Sequence, residues 1–206
     1  MSASHFNRFQ DLSRFRVAEG FRGRPAWFVQ LWWIFDALFV RSTPQALYFW
    51  RRFIWRLFGA KVGRKVLIRP GVRVTFPWKV VIGDYCWIGD NATLYSVAEI
   101  TIGEHTVVSQ EAYLCAGTHD HSDMSFPVIA SAITIESECW IAARAFVGPG
   151  VRIGYGAVVG ACSAALSDVP PAMIVAGVPA RTVGIRTVRH SDSDVPMVPT
   201  RDEWRL

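Results

Sequence analysis

The stretch IESECWIAARAFVGPGVRIGYGAVVGACSAA, residues 135–165, places an aliphatic or small apolar residue at every sixth position: Ile135, Ile141, Val147, Ile153, Val159 and Ala165. Gly148, Gly154 and Gly160 directly follow three of these anchors. A second series of small residues sits four places on, as Cys139, Ala145, Val151, Ala157 and Ser163. Upstream, Val62, Ile68 and Val74, then Ile82, Ile88 and Leu94, then Ile102, Val108 and Leu114 keep the same step. Six-residue self-similarity marks a parallel β-helix, in which each repeat buries its anchor by stacking on its neighbours.

The spacing also shows how each coil closes. Val62 to Ile82 and Ile82 to Ile102 are 20 residues each, whereas Ile135 to Ile153 is 18. A coil is therefore three hexads, with two residues added at one corner of the longer ones. The fold class read from this pattern is all-β: a parallel β-helix of about five coils over residues 61–184. A helical segment over 1–60 precedes it and a polar tail over 185–206 follows. Periodicity alone does not set the hand of the coil.

Charge is unevenly distributed. Residues 1–60 hold nine Arg and three acids, while residues 61–206 hold 13 basic and 14 acidic residues. The β-helix is thus nearly neutral and lacks the basic stripe that a nucleic-acid partner requires. Cys86, Cys115, Cys139 and Cys162 show neither C-x-x-C spacing nor the density of a disulfide scaffold, and read as core thiols of a reducing compartment.

Residues 1–24 are polar and Arg-rich, without the apolar core of a secretory signal. PAWFVQLWWIFDALFV, residues 25–40, is very apolar, but its 16 residues include Gln30 and Asp36, short of the ~20 needed to span a bilayer. A second helix is expected from Thr43, with Thr43 as cap and Pro44 in the first turn. It mixes Trp50, Phe53, Ile54, Trp55 and Leu57 with Arg51, Arg52 and Arg56. Aromatic rings beside arginines suit peripheral contact with an anionic membrane. Packing on the β-helix or on a partner subunit suits the same pattern.

The register breaks once, between Leu114 and Ile135, and the extruded loop (115–132) carries the sequence THDHSD. A loop held by rigid coils is a natural place for chemistry. His119 lies 17 residues after Ile102, as Glu99 lies 17 after Ile82, so the coil offset places Glu99 beside His119. A carboxylate there orients the ring and raises its basicity, making a base and orienter pair. Asp120 and Asp123 compete for the orienting role. Zinc is the rival chemistry, but His105 and His119 are 14 apart and do not stack, so no metal is expected.

IGDYCWIGDNATLYSVAEITIG, THDHSD, WIAARAFVGPGVRIGYGAVVGA and DVPPAMIVAGVPAR resemble the hexapeptide-repeat acyltransferases, and among them the O-acetyltransferases of colanic acid biosynthesis. FQDLSRFRVAEGFRGR and RRFIWRLFGAKVG extend the resemblance to roughly residues 9–185. The resemblance implies a left-handed β-helix, a homotrimer, and acetyl-CoA held between neighbouring subunits. It implies His119 as the catalytic base, Trp140 near the cofactor, and Ala143, Ala161 and Arg181 as cofactor contacts. Asn91 and Asp120 are candidate acceptor contacts. Relatives often carry a basic residue at the place of Ser167 and another near Gly184, and G-N-P-A where this chain has Gly177, Val178, Pro179 and Ala180. Phosphate contacts are therefore thinner here, or come from Arg186.

The expected function is acetyl-CoA-dependent O-acetylation of a sugar in an exopolysaccharide precursor, in the cytoplasm or at the inner face of a bacterial membrane. The N-terminal segment favours a lipid-linked acceptor over a free sugar or serine. The histidine loop favours an enzyme over a β-helix scaffold without catalysis.

Overall fold

A computed structural model describes residues 8–187; most of the polar tail lies outside them. Parallel strands of two to four residues stack into three flat faces. Face one holds Lys61–Val62, Val80–Ile82, Ile100–Ile102, Ile133–Ile135 and Arg152–Ile153. Face two runs from Leu67–Ile68 through Trp87–Ile88, Val107–Val108, Trp140–Ile141 and Val158–Val159 to Met173–Ala176. Face three holds Arg73–Val74, Thr93–Tyr95, Tyr113–Cys115, Phe146–Val147 and Ala164–Ala165. Five coils are complete. A sixth begins where Val169 pairs with Ile153, and ends as Met173–Ala176 turns back on Arg181–Ile185 in antiparallel pairing.

The hexad anchors form the core. Ile68, Ile88, Leu94, Leu114, Ile135, Ile141, Val147, Ile153 and Val159 have no exposed surface. Cys86 and Cys139 take the inward small position, and burial pushes the Cys139 thiol up to about 11. Longer coils add their two residues at the corner between faces three and one, the same corner from which the loop is extruded.

Stacking leaves one end of the helix with a specific debt of hydrogen bonds. Each inward carbonyl accepts from the coil before it: Ile82 from Gly63 at 2.8 Å, Cys86 from Leu67 at 2.8 Å, Ile88 from Arg69 at 2.9 Å and Leu94 from Thr75 at 3.1 Å. The equivalent carbonyls of the first coil, Val62, Val66, Ile68 and Val74, have no earlier coil. A buried carbonyl without a donor is costly. Two helices, α1 (Ala26–Phe39) and α2 (Tyr48–Leu57), close this end and supply the donors. Arg56 Nε reaches Val62 O at 2.9 Å, Arg52 Nη1 reaches Val66 O at 2.7 Å, Arg51 Nε reaches Ile68 O at 2.6 Å and Trp32 Nε1 reaches Val74 O at 3.1 Å.

One expectation is corrected here, and one open choice is narrowed. The second helix starts at Tyr48, not near Thr43: Thr43 Oγ1 donates to Val40 O at 2.6 Å and accepts from Arg51 Nη1 at 2.8 Å. The arginines of α2 turn toward the solenoid rather than toward solvent or headgroups, because the orphan carbonyls are their strongest available partners. Among the described residues no helix is long and apolar enough to cross a membrane.

Arg51 is 1% exposed and also donates to Pro44 O and Gln45 O at 2.9 and 2.7 Å. Arg51→Lys, which loses the planar fork, should lower unfolding stability by about 2–4 kcal/mol in urea; a change below about 0.5 kcal/mol would contradict the capping role. Nearby, burial pushes the Asp36 carboxyl up to about 6 against the pull of Arg41, whose Nε lies 2.8 Å away, and of Arg73. A raised carboxyl contributes most when protonated, so its contribution falls as pH climbs from about 4 to above 6. Asp36→Asn should therefore gain about 1–3 kcal/mol relative to the parent between pH 4 and pH 7.5 in paired urea titrations.

Candidate active site

The interruption is a hairpin. Gly117–His119 pairs antiparallel with Val128–Ala130, bringing His119 opposite Val128. Gly117 makes the exit possible, since a Cβ there would meet Val97 Cγ2 at 2.3 Å. At the tip, Asp120 Oδ1 accepts from Ser122 N at 2.9 Å, and Asp123 Oδ1 from Ser125 N at 2.7 Å. The Ser122 hydroxyl and amide hold the Asp120 carboxyl below the usual carboxylate range.

His119 is half-buried. Its Nδ1 lies 2.9 Å from Phe126 O, and the Phe126 ring stacks on the imidazole at 4.3 Å between centroids. A carbonyl only accepts, so in the neutral ring Nδ1 is the protonated nitrogen and Nε2 the one with the lone pair. Phe126 N donates to Asp123 O at 2.9 Å, so the turn framed by Asp123 presents the carbonyl to the ring.

Glu99 does not make the expected pair. Its carboxylate accepts from Thr101 Oγ1 at 3.2 Å, and its carbonyl accepts from Ile133 N at 2.9 Å. The coil offset fails because the chain leaves the coil after Cys115, the last residue paired with the coil before it on face three; Ile133 pairs with Ile100 when it returns. The carboxylate hydrogen bonds of Asp120 and Asp123 likewise go to serines rather than to His119.

The N-terminal segment forms a strap along the same corner, which sequence reading missed. Asp11 N donates to Met124 O at 2.7 Å, and the Phe15 ring lies 6.1 Å from the imidazole. Further down, Lys79 Nζ bridges Phe21 O and Val97 O at 2.6 and 2.5 Å, and Trp78 Nε1 donates to Arg22 O at 2.7 Å. The segment then enters α1. A strap held largely through backbone carbonyls has no periodicity to betray it.

Two of the cofactor candidates, Ala143 and Ala161, share another corner, between faces two and three. Cys162 N donates to Ala143 O at 2.9 Å, stacking the coil of Ala161 on that of Ala143. Trp140 is 47% exposed on face two, and its Nε1 donates to Ser109 Oγ at 2.9 Å. Ser109 borders a groove of about 450 Å³ that runs past Trp87, Arg69 and Gln110. Asn91 occupies the same row of corner residues at φ 57°, as do Glu111, Arg144 and Cys162 at 56–58°. Asparagine tolerates this left-handed conformation, which gives it a structural role. Arg181 opens the last strand and is exposed beside Ser167 and Asp168. Arg186 is engaged through Nη1 with Glu138 O and Gly156 O at 2.6 and 3.1 Å.

The chain is 52% identical over 171 residues to the colanic acid biosynthesis acetyltransferase WcaF of Escherichia coli K12, covering 83% of this chain and 94% of that protein. It belongs to the hexapeptide-repeat acetyltransferases. It is also 30% identical over 132 residues to the galactoside O-acetyltransferase of Escherichia coli K12, covering 60% of this chain and 63% of that one. Among solved structures, a hexapeptide-repeat acetyltransferase of Vibrio cholerae in complex with acetyl-CoA superposes with a TM-score of 0.68 at 26% identity, over 81% of this chain and 87% of that one. No family model matches the chain.

The hydrogen bond to Phe126 O sets the tautomer of His119. In ¹⁵N spectra of the neutral ring, Nδ1 should carry the proton, and Asp123→Ala should mix in the other tautomer by loosening the turn. A neutral ring protonated at Nε2 in the parent protein would overturn this assignment.

Proposed function

We propose that this member of the family transfers an acetyl group from acetyl-CoA to a sugar hydroxyl of an exopolysaccharide precursor of the colanic acid kind. The observation that carries the reading is the free Nε2 of His119, aimed by a backbone carbonyl on a hairpin fixed to a rigid solenoid. The residues of the corner between faces two and three fit the donor: Ala143 and Ala161 leave room for a narrow chain to approach the backbone, Trp140 offers an apolar wall, and Arg181 offers a guanidinium to phosphate. Acetyl-CoA supplies the thioester when bound.

His119 Nε2 takes the proton of the acceptor hydroxyl as the sugar oxygen attacks the thioester carbonyl carbon. The protonated imidazole then delivers that proton to the departing sulfur. No acetylated side chain is needed. The Phe126 carbonyl stabilises the imidazolium through Nδ1–H, a role that the coil count alone would give to Glu99. Asp123 acts through the turn as a positioning residue. Asp120 and Asn91 remain the proposed contacts to acceptor.

One chain does not bring the two halves of this site together. The hairpin leaves at the corner between faces three and one, while the donor residues line the corner between faces two and three. A face of six residues separates them, up to ~20 Å at 3.3 Å per residue. A homotrimer in which the hairpin of one subunit overhangs the donor corner of its neighbour completes the site. We place the reaction in the cytoplasm, at the inner face of the membrane, where a lipid-linked glycan would present its hydroxyls.

His119→Ala should lower kcat for CoA release with the glycan acceptor by about 10²–10⁴-fold while leaving the thermal midpoint unchanged; a variant of full rate would refute the base. Mixing His119→Ala with Ala161→Trp subunits, each inactive alone, should restore activity, because every mixed trimer contains one interface with an intact base and an intact corner. Absence of any recovery in verified mixed assemblies would rule out a shared site.

A further inference from the structure

The helical cap has an outer surface that neither the solenoid nor the proposed reaction accounts for. In α1, Val29, Trp32 and Asp36 are buried against the solenoid. On the opposite side of the helix, Trp27, Leu31, Ile34 and Leu38 form a stripe at steps of four, three and four, with 67%, 38%, 55% and 62% of their surface exposed. α2 repeats the arrangement. Arg51, Ile54 and Trp55 face inward, and Phe49, Phe53 and Leu57 face outward at 61%, 54% and 63% exposure. A surface helix normally presents polar residues opposite its buried face; these two present large apolar residues there instead. Contiguous exposed apolar surface of this kind marks an interaction site.

Charge identifies the occupant. From Gly20 to Lys61 the chain carries Arg22, Arg24, Arg41, Arg51, Arg52, Arg56 and Lys61 against one acid, Asp36, which is 6% exposed and paired with Arg41. With Arg51, Arg52 and Arg56 bound to carbonyls of the first coil and Arg41 to Asp36, Arg24 and Lys61 remain as exposed cations flanking the two helices in the chain, and no exposed carboxylate lies between these two residues in sequence. α1 is 14 residues long, about 21 Å, too short to cross ~30 Å of hydrocarbon. Apolar stripes that include a tryptophan, cations flanking them in the chain and helices without an exposed acid of their own match the headgroup boundary of an anionic bilayer, with the helices lying flat.

We infer that the outer faces of α1 and α2 are a docking surface for an anionic lipid bilayer, onto which the protein sets the capped end of its solenoid. Because the helices lie across that end, the solenoid axis points away from the membrane and the hairpin, three coils up, stands clear of it. This surface is independent of the acetyl-transfer chemistry, so the two stand or fall separately.

The test uses the full chain and vesicles of phosphatidylglycerol with phosphatidylethanolamine, against phosphatidylcholine alone. The parent protein should co-sediment with the anionic vesicles and release them at high salt. Leu31→Ser, Leu38→Ser and Phe53→Ser combined should weaken partitioning at least about tenfold while the thermal midpoint, the molecular mass and CoA release with a soluble acceptor stay unchanged. Brominated lipid should quench the tryptophan fluorescence of the parent. Failure of the parent to bind anionic vesicles, equal binding by the triple variant, or a fall in molecular mass in that variant would overturn the inference, the last by showing that a second copy covers the face.

Discussion

A stack of parallel coils satisfies its own backbone everywhere except at its ends, and that asymmetry governs the rest of this molecule. Each coil receives donors from the coil before it, so the first coil is left with inward carbonyls and no partners. Arg51, Arg52, Arg56 and Trp32 answer that need one carbonyl each. Guanidinium is suited to the task because it remains charged in a half-buried site and forks across two acceptors. At the far end the antiparallel return of Arg181–Ile185 onto Met173–Ala176 protects the last strand. The N-terminal segment is thus part of the fold rather than an appendage, and its position determines what else it can touch.

From the cap, the chain preceding α1 runs along a single corner. The two extra residues of the long coils and the histidine hairpin all occur there, and the strap meets each level in turn: Trp78 and Lys79 on the first coil, Val97 on the second, Met124 and His119 on the third. Capping, loop support and placement of His119 are therefore mechanically joined. A histidine on a hairpin would otherwise have a mobile ring. Here Phe126 stacks on it, and a carbonyl from the same residue determines which nitrogen holds the proton.

The six-residue step made the solenoid legible almost residue by residue, because every anchor of one coil has the same environment as its counterpart in the next. The interruption was equally legible, since it is the place where the count fails. Where local periodicity ended, sequence reading lost precision. Continuing the count puts Glu99 beside His119 across a gap in which the chain has already left the coil. The partner that replaced it is a backbone carbonyl, and a carbonyl has no residue identity to detect. The sequence leaves the direction of Arg51, Arg52 and Arg56 open, because pairing with the unpartnered carbonyls depends on where the first coil lies, not on the neighbouring residues. Thr43 has the chemistry of a cap, yet its hydroxyl serves Val40 and Arg51 instead.

In the proposed function, a base fixed by a carbonyl on one subunit works on a donor lying along the Ala143–Ala161 corner of another. A crystal structure of the protein with CoA and a glycan acceptor tests it most directly. The account predicts a pantetheine arm beside Ala143 and Ala161 of one chain, with its sulfur end within about 4 Å of a sugar hydroxyl that is hydrogen-bonded to Nε2 of His119 from the adjacent chain. CoA bound wholly within one chain, or a sugar held away from His119, would contradict it.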